Sequence, residues 1–170
     1  KTYESVTIDE AHFPSEGFRK LVSENFDTDG DGILSSDEIR EAKAVVSEGD
    51  YEINSVKGIE YLANIKKLNI YSDDLNEVDV TKNPELQMLT LSGDGNITSV
   101  DTSKNTKLRV FNVSNSSLSS VDLTKNTELR IFTVPFTSIS SVNLSNNPYL
   151  KRCEVAETQI TQLDVTHNKK

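Results

Sequence analysis

Two hydrophobic periodicities divide the chain. Between residues 12 and 46 the apolar positions follow helical spacing. Phe18, Leu21, Val22 and Phe26 share one face of a first helix, which Pro14 and Ser15 are suited to open. Ile39, Ala42, Val45 and Val46 form the stripe of a second helix beginning near Ser35 or Ser36, and Ser35 with Glu38 has the spacing of a capping box. The pattern predicts helix, loop, helix. Residues 47–52, Ser-Glu-Gly-Asp-Tyr-Glu, mark a boundary between a small helical unit over 1–50 and a second unit over 51–170.

From about residue 53 the same columns return every 21 or 22 residues, timed by Asn83, Asn105, Asn126, Asn147 and Asn168. Each unit opens with Ile65, Leu86, Leu108, Leu129 or Leu150. Three residues on stand Leu68, Leu89, Phe111, Phe132 and Cys153, and two further on Ile70, Leu91, Val113, Val134 and Val155. The second half of each unit repeats Leu75, Ile97, Leu118, Ile139 and Ile160, then Val78, Val100, Val121, Val142 and Leu163. A last column reads Val80, Thr102, Leu123, Leu144 and Val165.

The motif L-x-x-L-x-L is a short strand whose alternate side chains enter a core. The rest of each unit returns the chain so that the next strand stacks beside the last, roughly 4.8 Å away. Ile53, Val56, Ile59 and Leu62 read as an irregular first turn, followed by about five units. The recurring Asn is placed to satisfy backbone groups of a neighbouring turn. Asp79, Asp101, Asp122 and Asp164, with Asn143 between, are placed to accept hydrogen bonds from the turn that follows each of them.

The loop between the predicted helices carries the candidate chemistry. Asp27-Thr28-Asp29-Gly30-Asp31-Gly32-Ile33-Leu34-Ser35-Ser36-Asp37-Glu38 fits the twelve-residue EF-hand calcium loop at every diagnostic position. Calcium takes about seven hard oxygens, more than one helix face presents, and a loop wrapped around the ion can supply them. Asp27, Asp29 and Asp31 offer carboxylates, Ile33 its carbonyl, Ser35 a direct or water-borne oxygen, and Glu38 both carboxylate oxygens. Gly32 permits the bend, and Leu34 points to the core. A dockerin would need a second copy of the loop. A calmodulin-like sensor would need a paired hand and a Met-rich surface, and this chain has one Met.

These columns resemble the leucine-rich-repeat family. A helical EF-hand-like cap before short parallel-stranded repeats is similar to the internalin-type surface proteins of Gram-positive bacteria. It is more similar still to repeat proteins predicted to be secreted by Firmicutes, on the run Phe18, Val22, Ser23, Glu24, Asn25, Phe26, Asp27, Asp29, Asp31 and Gly32. The fold class that follows is a leucine-rich-repeat solenoid with short parallel β-strands behind a small helical cap. The resemblance implies a bacterial, secreted or cell-surface protein and a non-enzymatic role, and leaves the partner unnamed.

Composition narrows the function classes. The net charge of −9 argues against a nucleic-acid partner or an anionic membrane, which call for a basic patch. No stretch approaches the about 18 apolar residues of a membrane span, so no insertion is expected. Cys153, the only cysteine, permits no intramolecular disulfide and stands in a core column, where burial is expected. His12 and His167 lie in no catalytic or metal spacing. Asn96, Asn112, Asn115 and Asn143 match the glycosylation pattern, which follows from a repeat rich in Asn, Ser and Thr.

The outward strand positions point to a partner surface. One row reads Lys67, Met88, Val110, Ile131 and Arg152, with three apolar residues where water is expected. Tyr71 and Phe136 add aromatics near the rim, and Lys66, Arg109, Arg130 and Lys151, with Gln87 among them, make a basic row on the opposite flank. The expected function is extracellular recognition of a protein or glycan by this face, with calcium as a structural element. A calcium-responsive regulator and a targeting domain of a larger secreted enzyme are the alternatives. With no capping segment after Asn168, the last turn is expected to continue in a longer chain or to self-associate.

Overall fold

A computed structural model describes residues 2–47, 51–93 and 95–169. The elements in chain order are β1 (Val6–Thr7), α1 (Glu16–Phe26), β2 (Ile33–Leu34), α2 (Ser36–Glu41) and β3 (Ala44–Val46). A single 3-10 turn, Ile59–Tyr61, leads to β4 (Lys67–Tyr71), β5 (Met88–Ser92), β6 (Val110–Val113), β7 (Ile131–Thr133) and β8 (Arg152–Glu154). β1 pairs with β2 antiparallel, and the other six strands form one parallel sheet in the order β3-β4-β5-β6-β7-β8.

The repeat half folds as its columns dictate. Leu68, Leu89, Phe111 and Phe132 lie opposite one another on successive strands and are fully buried. Phe111 and Phe132 stack with ring centroids 5.8 Å apart. Each turn therefore buries its apolar side only against its neighbours, so burial fades where stacking ends. Val80 is fully buried, whereas its column mate Val165 is 49% exposed, because no further described turn covers it.

The Asn column joins the turns. Asn105 Nδ2 donates to the carbonyls of Val80 at 2.9 Å and Asn83 at 2.8 Å, and Asn147 repeats this two spacings on, to Leu123 and Asn126. Asn83, Asn105, Asn126 and Asn147 are all fully buried. Each converts two carbonyls that would otherwise be buried without a donor into paired ones, which is the physical reason for Asn in this column. The Asp column behaves as expected: Asp79 accepts from Thr81 N–H at 2.9 Å, Asp101 from Ser103 at 2.8 Å and Asp122 from Thr124 at 2.9 Å.

The first unit departs from expectation at its end. The second helix stops at Glu41, and Ala44–Val46 is a strand paired in parallel with β4. Val45 and Val46 therefore do not continue the stripe of Ile39 and Ala42. Two β-branched residues in a row favour an extended backbone, and β4 offers them a free edge to complete. The helical segment and the repeats thus share one sheet. Part of the expected boundary, residues 48–50, lies outside the described residues. Phe13, fully buried, adds to the junction by packing against Tyr61 with ring centroids 5.7 Å apart. Asn64 Nδ2 closes it with a 2.8 Å bond to the Arg40 carbonyl at the end of α2.

Candidate functional site

The acidic loop is built around two carboxylates. Asp27, directly after α1, accepts from the N–H groups of Gly30 at 2.8 Å and Asp31 at 3.1 Å on Oδ1, and from Gly32 at 3.0 Å on Oδ2. Gly32, with φ 80°, lets the chain turn back under this carboxylate. The returning segment is β2, whose free edge is covered by β1, and Ile8 N–H donates to the Gly32 carbonyl at 2.9 Å. A two-residue strand from the chain's N-terminal segment therefore braces the loop from outside.

Glu38 closes the loop from the first turn of α2. Its Oε1 accepts from Thr28 N–H at 2.6 Å and Thr28 Oγ1 at 2.7 Å, and its Oε2 from Ser35 N–H and Oγ, both at 2.9 Å. The Ser35 bonds form the expected capping box. Burial by itself would raise the Glu38 pKa. The opposing bonds, led by that from Ser35 N–H, outweigh it and hold the carboxyl down at about 2. Thr28 was not among the sequence candidates: at the loop's second position it offers no ligand, and only the fold shows that it orients Glu38.

Ligand oxygens of Asp27, Asp29 and Glu38 all lie within 4.8 Å of one another. The remaining candidates make contacts inside the loop. Asp31 Oδ1 accepts from Ile33 N–H at 2.8 Å, Ile33 lies in β2, and Ser35 Oγ is shared between the Glu38 carboxylate and its N–H. Three carboxylates converging with no amine or thiol among them suit a hard divalent cation, because such ions prefer oxygen and the gathered negative charge needs a counter-charge. The donor set therefore fits calcium chemically.

The second candidate region is the open sheet face. Pairing places Lys67, Met88, Val110, Ile131 and Arg152 opposite one another on five consecutive strands, so the row is physically continuous. Met88, Val110 and Ile131 are each half-buried, and Arg152 is exposed with its guanidinium 2.8 Å from Glu154. Tyr71, at the end of β4, and Phe136, just past β7, are 52% and 57% exposed; two strands, β5 and β6, lie between them.

Phe136 is unusual in its backbone. Gly93, Asn115, Phe136 and Glu157 occupy the same place in successive turns, and all have positive φ, at 126°, 50°, 57° and 53°. Glycine and asparagine tolerate this region, but a bulky aromatic does so at a cost. The ladder holds it there: Phe136 N–H donates to Ala156 and its carbonyl accepts from Ser116, at 3.0 and 3.1 Å. An exposed ring on a strained backbone is a feature to which a functional meaning attaches more readily than a packing one.

Other reactive groups have local roles. His12 Nδ1 lies 2.7 Å from Asp9 Oδ1, and the ring packs edge-on to Tyr61. Cys153 is half-buried, and burial pushes its thiol pKa up, away from thiolate chemistry. Among the described residues no helix is long and apolar enough to cross a membrane.

No protein-family model matches the chain, and no curated protein does. Solved structures do. A leucine-rich-repeat protein of Leptospira interrogans aligns over 77% of this chain and 36% of its own, with a TM-score of 0.68 and 19% identity. The internalin InlP of Listeria monocytogenes aligns over 93% and 55%, with a TM-score of 0.53 and 16% identity. The functional domain of InlJ from the same organism aligns over 99% and 46%, with a TM-score of 0.49 and 20% identity. This chain thus spans between about a third and just over half of these relatives' lengths. The stacked parallel strands, the buried Asn column and the likeness to the Leptospira protein and InlP lead to one conclusion: the chain is a leucine-rich-repeat solenoid of internalin-like fold.

Proposed function

We propose that this chain is a calcium-stapled recognition module, secreted or held at a bacterial cell surface, that binds a protein or glycan through its open sheet face and performs no catalysis. The observation that carries this reading is the row Met88, Val110, Ile131, stacked in register on the solvent side of three adjacent strands. Apolar side chains kept continuous on an open face favour association over solubility. Calcium at Asp27, Asp29 and Glu38 would neutralise the loop and lock the cap onto the first turn. A weak site would stay filled outside the cell, where modules with millimolar-range affinity operate.

The test compares the wild-type chain with the double variant Val110→Ser, Ile131→Ser. Both are screened against a glycan array and a displayed protein-domain library. Ligands captured by the wild type and lost by the variant, with its thermal unfolding little changed, support the face. Ligands that bind both proteins equally remove the face from the account.

A further inference from the structure

The apolar row is framed by cations although the chain carries a net charge of −9. Lys66, Gln87, Arg109, Arg130 and Lys151 immediately precede β4 to β8. Their backbones form a ladder: Gln87, Arg109, Arg130 and Lys151 each donate to the carbonyl of the member before, at 2.8, 2.8, 2.9 and 2.8 Å. The four cationic members are all exposed. Arg109 reaches Glu128 at 3.1 Å, whereas Lys66, Arg130 and Lys151 make no ion pair among the described residues. Lys67 and Arg152 close the two ends of the apolar row itself.

Like charges on neighbouring strands repel and cost stability, and a chain with 27 acidic residues has carboxylates with which to break up such a row. Arg109 has Glu128, but Lys66, Arg130 and Lys151 are left to find a counterpart from outside. Binding surfaces place an apolar centre inside a polar rim, with opposite charges facing across the contact. Here the centre is Met88, Val110 and Ile131, and the rim is cationic on one side and at the Lys67 end, while Arg152 at the other end is paired with Glu154. We infer that the partner of this face is a polypeptide whose apolar side chains seat on Met88, Val110 and Ile131 while its aspartates or glutamates meet the row from Lys66 to Lys151. An anionic polysaccharide would satisfy the cations but leave the apolar row uncovered. This inference rests on the reading of the sheet face as the recognition surface and adds the chemistry of what it recognises.

The probe is a random peptide library displayed on phage and selected on the calcium-loaded chain, with heparin as a second, purely anionic probe. The inference expects enriched peptides that combine Asp or Glu with aliphatic or aromatic residues. Their affinity should weaken by about tenfold or more at high salt or in Arg130→Glu, Lys151→Glu, because rim charges act through long-range attraction. Should that reversal disturb folding, Arg130→Gln, Lys151→Gln provides the same comparison with a smaller loss. Enriched peptides lost on Val110→Ser, Ile131→Ser but indifferent to the cations would overturn the inference and leave the face reading intact. Peptides indifferent to both variants would overturn both. No enrichment, an enriched pool lacking acids, or heparin binding tighter than any selected peptide would also overturn the inference.

Discussion

Thr102 and Asn126 exchange hydrogen bonds across two turns of the solenoid. Asn126 Nδ2 donates to the Thr102 carbonyl at 3.1 Å, and Thr102 Oγ1 lies 2.9 Å from Asn126 Oδ1. Thr102 is the single polar member of a column otherwise filled by Val80, Leu123, Leu144 and Val165. It is also why Asn126 Oδ1 is paired, whereas Oδ1 of Asn83, Asn105 and Asn147 is buried without a donor among the described residues. Thr102→Val keeps the shape and deletes the hydroxyl that donates to Asn126 Oδ1 and lies 3.2 Å from the Asp122 carbonyl. It should destabilise the chain by about 1 kcal/mol, with the denaturant slope unchanged. Equal or greater stability in urea unfolding would mean that the hydroxyl contributes nothing.

The backbone at Phe136 leads to a prediction of opposite sign. A left-handed conformation costs a bulky residue roughly 1–2 kcal/mol, and asparagine less; Asn115 occupies the same place one turn earlier. Phe136→Asn should therefore hold or raise the melting temperature while weakening binding to any partner of the face. A clear fall in melting temperature would show that the ring is there for packing.

Glu38 contributes a pH dependence with a defined sign. Its folded pKa, about 2, lies below the ordinary 4.5, so the stabilisation is fully present above the ordinary value and is lost as pH falls through it toward the folded one. Asp101, Asp122 and Asp164 are also lowered, by bonds from Ser103, Thr124 and Thr166. The wild type must therefore be compared with Glu38→Gln, both in chelator. The stability difference between the two should shrink as acid is added below about pH 4.5. A difference constant down to pH 2 would contradict the role given to the Thr28 and Ser35 bonds.

Much of this architecture was legible because each stacked position is written five times. A column such as Leu68, Leu89, Phe111, Phe132 and Cys153 leaves little freedom in how the strands register. What was not legible depends on contacts remote in sequence. Ile39, Ala42, Val45 and Val46 fit a helical stripe, and only the open edge of β4 makes a strand of the last two. Val6–Thr7, two residues long, has no periodicity to read, yet it braces the loop through Ile33–Leu34. At the candidate metal site the carboxylates could be named from spacing, but the hold of Thr28 on Glu38 depends on how the loop closes.

The central claim is that calcium acts as a staple on a fixed recognition surface. Thermal unfolding of the wild type and of Glu38→Ala, each in calcium and in chelator, tests it most directly. Free calcium near one hundred times the dissociation constant would stabilise the folded chain by about 2.7 kcal/mol. At about 2–4 °C per kcal/mol for a chain of this size, the wild type should melt several degrees higher in calcium. Glu38→Ala should show no such difference, and the sheet's circular dichroism at room temperature should match in all four samples. Superimposable wild-type melting curves in calcium and chelator would contradict the claim, as would a large calcium-driven change in the sheet signal.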